Sequence, residues 1–261
     1  MKKLLLVAVM SVFVIGKASA QTVDEIVAKY MAAVGGDKWN TVTAMQTIAT
    51  MSGGNGMEME LTTTVVKDKA YKWDMNGGMF QMTRCINGDE GWSTNPRNGG
   101  AAEAMTPEQV AAQKDLIELP TPLFDYKTKG HTAELVGKET VDGKEMFKIK
   151  LTKKSGGVDH YYVDATTFLI AKRTMVQNMM GREIQSELIF SNYKDVEGLK
   201  IAYATETKRI GGQGGPGGQG GQGGGGGQGG GGRGGFGGGP TTVDKVKINP
   251  KINEKDFKMP K

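Results

Sequence analysis

The feature that most constrains this chain is a switch of hydrophobic period near Met45, from about four residues to two, that persists almost to the C-terminus. Met57, Met59, Leu61 and Val65 alternate with Glu58, Glu60, Thr62 and Thr64. Tyr71, Trp73 and Met75 alternate with Lys72 and Asp74, and Phe80, Met82, Arg84 and Ile86 with Gln81, Thr83 and Cys85. Successive side chains of a strand point to opposite faces, so this pattern means strands with one buried face. Turn residues punctuate it at Lys67-Asp68-Lys69, Asn76-Gly77-Gly78 and Asn87–Gly91. Strands separated this closely pair as antiparallel hairpins.

The same grammar returns later. His131 to Val141, a strand bearing Phe147, Ile149 and Leu151 on one face, Val158 to Asp164, Ile170 to Gln177, Ile184 to Tyr193, Leu199 to Lys208 and Thr241 to Ile248 read as further strands. Their connections are short and polar, at Val141–Lys144, Ser155–Gly157 and Met180-Gly181. The fold class is therefore mainly β with two or three helices: a curved antiparallel sheet or incomplete β-barrel with a helical lid.

Two helices frame this sheet. Thr22 and Glu25 form a capping box, and Val23, Ile26, Val27, Tyr30, Met31 and Val34 recur at helical spacing until Gly35-Gly36. Trp39 comes next and packs the helix end onto the body. Thr106-Pro107-Glu108-Gln109 combines an N-cap, a proline in the first turn and a capping-box glutamine. Pro120 and Pro122 end this second helical stretch, leaving Leu116, Leu123 and Phe124 as apolar lid residues.

Residues 1–20 read as a cleaved signal peptide. Lys2 and Lys3 precede an uncharged run from Leu4 to Ile15, and Ala18-Ser19-Ala20 is a small-residue cleavage site. The run is too short to span a bilayer, which takes about 20 residues. Cleavage after Ala20 would place the chain in the periplasm, with no transmembrane segment left. Lys2, Lys3 and Lys17 leave with the signal, so the net charge falls from +5 to about +2. That is too small to argue for nucleic acid as a partner.

The remainder, 21–261, reads as one domain carrying a glycine-rich insertion at 211–239. The insertion supplies many of the 41 glycines and is expected to be disordered, because it cannot bury enough surface to offset its backbone entropy. It lacks the Gly-Lys-Ser/Thr ending of a phosphate loop. Cys85 is the only cysteine, so no intramolecular disulfide forms. His131 and His160 are the only histidines and have no metal-ligand spacing. Ser93, Ser155, Ser186 and Ser191 sit in no nucleophile elbow, and Asp159 and His160 alternate to opposite faces. No enzyme, cofactor or metal is expected.

Two features remain on the apolar faces. Met57, Met59, Met75 and Met82 fall on buried strand faces, where methionine either fills gaps in a core or lines an adaptable apolar surface. Arg84 shares a face with Met82 and Ile86. It either meets a carboxylate or ligand head group or reaches water from the strand end, and the second is the simpler reading.

Several stretches together resemble the LolA-like outer-membrane lipoprotein-sorting superfamily, in its Bacteroidetes-type variant. They are Thr22–Tyr30 with Gly35-Gly36 and Trp39, Asn87–Trp92, Pro122-Leu123 with Tyr126 and Gly130, and Leu135–Gly137 with Val141–Gly143. Tyr162–Asp164 with Thr167 and Leu169, and Val246–Asn249 through Phe257 and Pro260, complete the set. The resemblance implies an open barrel, a helical lid and a hydrophobic cavity that carries a lipid or lipoprotein acyl chain. The expected lining is Trp73, Phe80, Met82, Phe147, Ile149, Leu151, Ile184, Leu188 and Phe190, with Leu116, Leu123 and Phe124 from the lid. The alternative on the same fold is an envelope sensor or interaction module whose partner is an envelope protein.

Overall fold

In a computed structural model, residues 21–53, 56–78, 81–96, 99–179, 182–210 and 239–260 are described. Residues 1–20, read above as a signal peptide, Phe80, the Met180-Gly181 connection and residues 211–238 of the glycine-rich insertion lie outside them.

Among the described residues the period-two segments form one antiparallel sheet of thirteen strands, in the order β6-β5-β4-β3-β2-β1-β13-β12-β11-β10-β9-β8-β7. In chain order these are β1 (Ala44–Ser52), β2 (Glu58–Val66), β3 (Ala70–Asn76), β4 (Gln81–Asn87), β5 (Glu90–Thr94), β6 (Ala102–Ala104) and β7 (Thr132–Val141). They continue with β8 (Lys144–Thr152), β9 (Val158–Asp164), β10 (Ile170–Met179), β11 (Arg182–Val196), β12 (Leu199–Ile210) and β13 (Pro240–Ile248). Sequence order reverses where β13 inserts between β1 and β12, joining the N-terminal and C-terminal meanders. β6 and β7 are the two edges and do not pair, so the sheet is open and not a closed β-barrel. Two strands escape the alternation argument. β5 begins within a segment that reads as turn, at Glu90-Gly91, and β6 is a short Ala-Glu-Ala segment of weak β-propensity.

Register fixes which residues share the inner face. Met45 pairs with Val65 and Ile248, Val65 with Tyr71, and Tyr71 with Ile86. On the other wing Arg173 pairs with Leu188 and Tyr161, and Tyr161 with Ile149. Bulges at Ile48/Ala49 and Leu135/Gly137 shift the register and bend the strands locally.

Helix α1 (Val23–Ala33) has both hydrogen bonds of the Thr22/Glu25 capping box. It places Ile26, Val27, Tyr30 and Val34 against Phe147, Ile149 and Leu151 of β8, Tyr161 and Val163 of β9, and Leu199 and Ile201 of β12. Each such burial contributes about 1.5–3 kcal/mol. The indole of Trp39 donates to the Val34 carbonyl at 2.9 Å and the Lys200 amide to the same carbonyl at 3.0 Å, which fixes the helix end to β12. Gly35, at φ +124°, makes this approach feasible: a Cβ there would lie 2.8 Å from the Gly198 carbonyl oxygen.

The second helix, α2 (Pro107–Ala111), also has its capping box but is only five residues long. A 3-10 turn at Lys114–Ile117 comes after it. The chain from α2 to His131 leads from edge strand β6 to edge strand β7, and so crosses the inner face. On the outer face a C-terminal 3-10 turn, Glu254–Phe257, covers Cys85, Trp92 and Ala70 with the Phe257 ring. No helix among the described residues is long and apolar enough to cross a membrane.

Candidate functional site

The inner face divides into regions of different chemistry. One is filled by α1 and the crossing segment. Leu119, Leu123, Phe124 and Tyr126 pack there with α1 and β8–β9, and Phe124 meets Trp39 edge-on at 6.5 Å. The Tyr30 hydroxyl lies 3.1 Å from the Thr121 hydroxyl, and the Tyr126 hydroxyl donates to Asp24 at 2.6 Å. Lys127, and then Tyr126, hold the Asp24 carboxyl below its ordinary range by hydrogen bonding to the ionised form.

A second region is apolar, with no helix packed in its cluster among the described residues. Met51 pairs with Met59, and Met75 pairs with both Leu61 and Met82. Met51, Met59 and Met75 are buried, with Leu61, Trp73 and Met82 partly buried around them. Met51 and Met75 are next to last in β1 and β3, and Met59 and Met82 are second in β2 and β4. The cluster therefore sits at the end of the sheet where the β1–β2 and β3–β4 connections leave. By strand alternation the β10–β11 and β12–β13 connections leave at that end too.

A third region of the inner face holds a buried charge network. Asp159, 1% exposed, accepts from Arg173 Nε at 3.0 Å and Nη2 at 2.5 Å. Arg173 also donates to Asp115 at 3.0 Å, and Lys153 reaches Asp115 at 3.1 Å and Asp159 at 3.4 Å. Two cations and two anions balance. Asp115 belongs to the 3-10 turn of the crossing segment, so the network ties that segment to β9 and β10. On its other side Lys114 donates to the Gly88 carbonyl and to Asp89 at 2.8 Å, reaching the β4–β5 turn. Lys114–Ile117 is thus a strap pinned to both wings of the open sheet. Tyr161 beside the network is fully buried, its hydroxyl has no hydrogen-bond partner among the described residues, and burial pushes its pKa up.

The sequence-derived lining residues distribute over these regions. Phe147, Ile149, Leu151, Leu123 and Phe124 are buried in the α1 core, and Phe190 is half-buried against it. Trp73 and Met82 belong to the methionine cluster. Leu188 is half-buried on β11 opposite Arg173, and Leu116 is half-buried in the strap. The side chain of Ile184, like Phe80, lies outside the described residues. Arg84 is exposed and His160 half-buried, its pKa lowered by burial and by Lys148 and Lys150.

The expected hydrophobic cavity takes a different form. A cleft of about 370 Å³ is lined mainly by polar groups such as Asn40, Lys67, Asp68 and Lys129, over Leu119 and Phe124. A smaller one of about 140 Å³ lies beside α1 at Val27, Met31 and Tyr126. Neither is the apolar chamber expected between sheet and lid, because α1 side chains fill that space. The charge network is a feature that sequence reasoning misses. Alternation alone places Asp159 inward, opposite in facing to His160, but Asp115, which completes the network, comes from the distant crossing segment.

No protein-family profile matches the chain, and no curated protein sequence matches it. Solved structures do. A LolA superfamily protein from Nitrosomonas europaea is 11% identical with a TM-score of 0.54, covering 92% of this chain and 98% of its own. A structure assigned as an outer membrane lipoprotein-sorting protein domain, from Vibrio parahaemolyticus, is 12% identical with a TM-score of 0.51, covering 90% and 95%. A DUF1329 family protein from Desulfovibrio piger is 15% identical with a TM-score of 0.51, covering 92% and 98%. At such identities the likeness is one of architecture: the open thirteen-stranded sheet with α1 across its inner face is a LolA-like fold.

Proposed function

We propose that this protein is an exported carrier that binds a lipid or lipoprotein acyl chain on the methionine-lined part of its inner face. The observation that carries this reading is the cluster of Met51, Met59 and Met75 with half-buried Trp73, Met82 and Leu61 at one end of the sheet. Methionine side chains are flexible and polarisable, so they reshape around apolar partners of variable form. Half-buried Leu188 and Phe190 extend the same face on β11. The α1 core is filled by its own side chains and needs no ligand. Solved proteins of this architecture include one assigned to lipoprotein sorting, and residues 1–20 carry the export pattern. Binding would draw on apolar burial, at about 25 cal/mol per Å² before ordering costs.

The test is a titration with cis-parinaric acid, read by energy transfer from tryptophan. Saturable binding is expected, and Trp73→Ala should weaken it by about tenfold, as loss of a large aromatic contact does. Native mass spectrometry of gently purified protein should show a retained lipid. A ligand-free protein with no saturable binding overturns the carrier reading. The filled α1 core favours one alternative, an envelope interaction module on the same fold. Capture of a defined envelope protein by a chain that binds no fatty acid would establish it.

A further inference from the structure

The methionines carry chemistry that acyl-chain binding does not use. Met51 and Met59 are direct cross-strand partners, and so are Met75 and Met82. Such partners have Cβ atoms about 4.5–5.5 Å apart. Met75 faces Leu61, the residue two along from Met59 on the same face, which makes Met59 and Met75 diagonal neighbours. Four thioethers from four adjacent strands thus converge on one patch. A fifth lies beside them: Met57, two residues before Met59 on the approach to β2, is 49% exposed, and its carbonyl accepts from Gly53 at 2.7 Å. The Met59 methyl group packs under Gly53, where an added Cβ would stand 3.0 Å away. The patch therefore runs from a solvent-facing thioether to buried ones.

Thioethers are soft, neutral ligands that select Cu(I) and its heavier congener Ag(I) over Zn(II), Ca(II) or Mg(II). Among the described residues no group of three or more His, Cys, Asp or Glu side chains is placed to hold a metal, so harder ions have no competing site there. We propose that Met51, Met59 and Met75, with Met57 at the entrance, form a monovalent soft-metal site that takes Cu(I). The single positive charge stays tolerable because the site lies at the sheet end beside exposed Met57, not in the α1 core.

Competition with bicinchoninate under anaerobic ascorbate tests this. The chain should withdraw one Cu(I) from the chelator, and X-ray absorption should show sulfur in the metal's first shell. The triple variant Met51→Leu, Met59→Leu, Met75→Leu conserves volume and apolarity, a swap that cores tolerate. It should lose at least about tenfold in Cu(I) affinity while keeping its melting temperature. Met57→Leu, at an exposed position, should slow metal uptake without altering the fold, and this variant serves if the triple one fails to fold. Cys85→Ala should retain Cu(I), since Cys85 lies on the outer face. No withdrawal from the chelator, unchanged affinity and uptake in the Leu variants, or loss of Cu(I) with Cys85→Ala would each overturn the proposal. Cu(I) withdrawal and parinaric acid binding are each read on the unaltered chain with its own probe, so failure here leaves the carrier reading standing, and failure of lipid binding leaves the metal site standing.

Discussion

At the scale of single residues, Asp159 shows how much one side chain holds in place. Burying a carboxylate is costly unless its charge is matched, and here the match is Arg173 with help from Lys153. Removing one partner of a buried pair leaves the other charge stranded, at about 3–5 kcal/mol. Asp159→Asn should therefore lower unfolding free energy by about that much in urea titration. The paired replacement Asp159→Leu with Arg173→Met should cost less than Asp159→Asn alone, because the charges left, Lys153 and Asp115, still pair with each other at 3.1 Å. If the double variant is the worse of the two, the network owes its worth to something other than charge matching. Asp115→Asn offers a gentler comparison, since Asp115 is partly exposed and Arg173 keeps Asp159. None of these four residues stands out in the sequence. Asp159 looks like one polar residue in an alternating strand; its partners Arg173 and Lys153 lie 14 residues ahead and 6 behind it, and Asp115, which shares both of them, lies 44 behind.

At the scale of elements, legibility follows periodicity. Strands with clean alternation, such as β3 and β8, appear in the sequence close to their final bounds, and both capping boxes announce their helices. β5 and β6 do not, because their identity depends on a neighbouring strand and not on their own pattern. The strap is legible only as Leu116 in an apolar lid; its ionic anchors are not, because tertiary charge pairing has no period. The C-terminal turn is another element whose role appears only in three dimensions. The Phe257 carbonyl accepts from the Trp92 indole at 3.1 Å and from the Cys85 thiol at 3.3 Å, while its ring covers both. Burial raises the Cys85 pKa to about 11, so the thiol stays protonated and inert at neutral pH. Phe257→Ala should cost about 3–5 kcal/mol, as large-to-small changes in packed sites do. It should also speed alkylation of Cys85 by iodoacetamide at pH 8. Equal alkylation rates in both proteins would mean the tail does not shield the thiol.

At the scale of the whole molecule, the open sheet joins two meanders through β13, and the glycine-rich connection enters directly ahead of that strand. β12 and β13 pair antiparallel from Ala204–Thr242 to Glu206–Pro240. Everything between those last partners is formally a hairpin loop. Removing residues 211–238 would leave Thr207, Lys208, Arg209, Ile210 and Gly239 to join Glu206 to Pro240. Five residues is an ordinary hairpin length, and the paired register need not change. Loop-closure entropy rises only as the logarithm of length, so the shortened loop gains about 1–2 kcal/mol. Deletion should therefore leave the far-UV circular dichroism intact and hold or slightly raise the melting temperature. A large fall would mean that the tract contributes packing that its composition argues against. The β12–β13 connection leaves the sheet at the end that carries Met51, Met59 and Met75, so the same deletion variant carries a second measurement. If the tract is only a connection, parinaric acid and Cu(I) affinities stay those of the full chain. If either affinity drops while the melting temperature holds, the tract works at the mouth of the site and not in the fold.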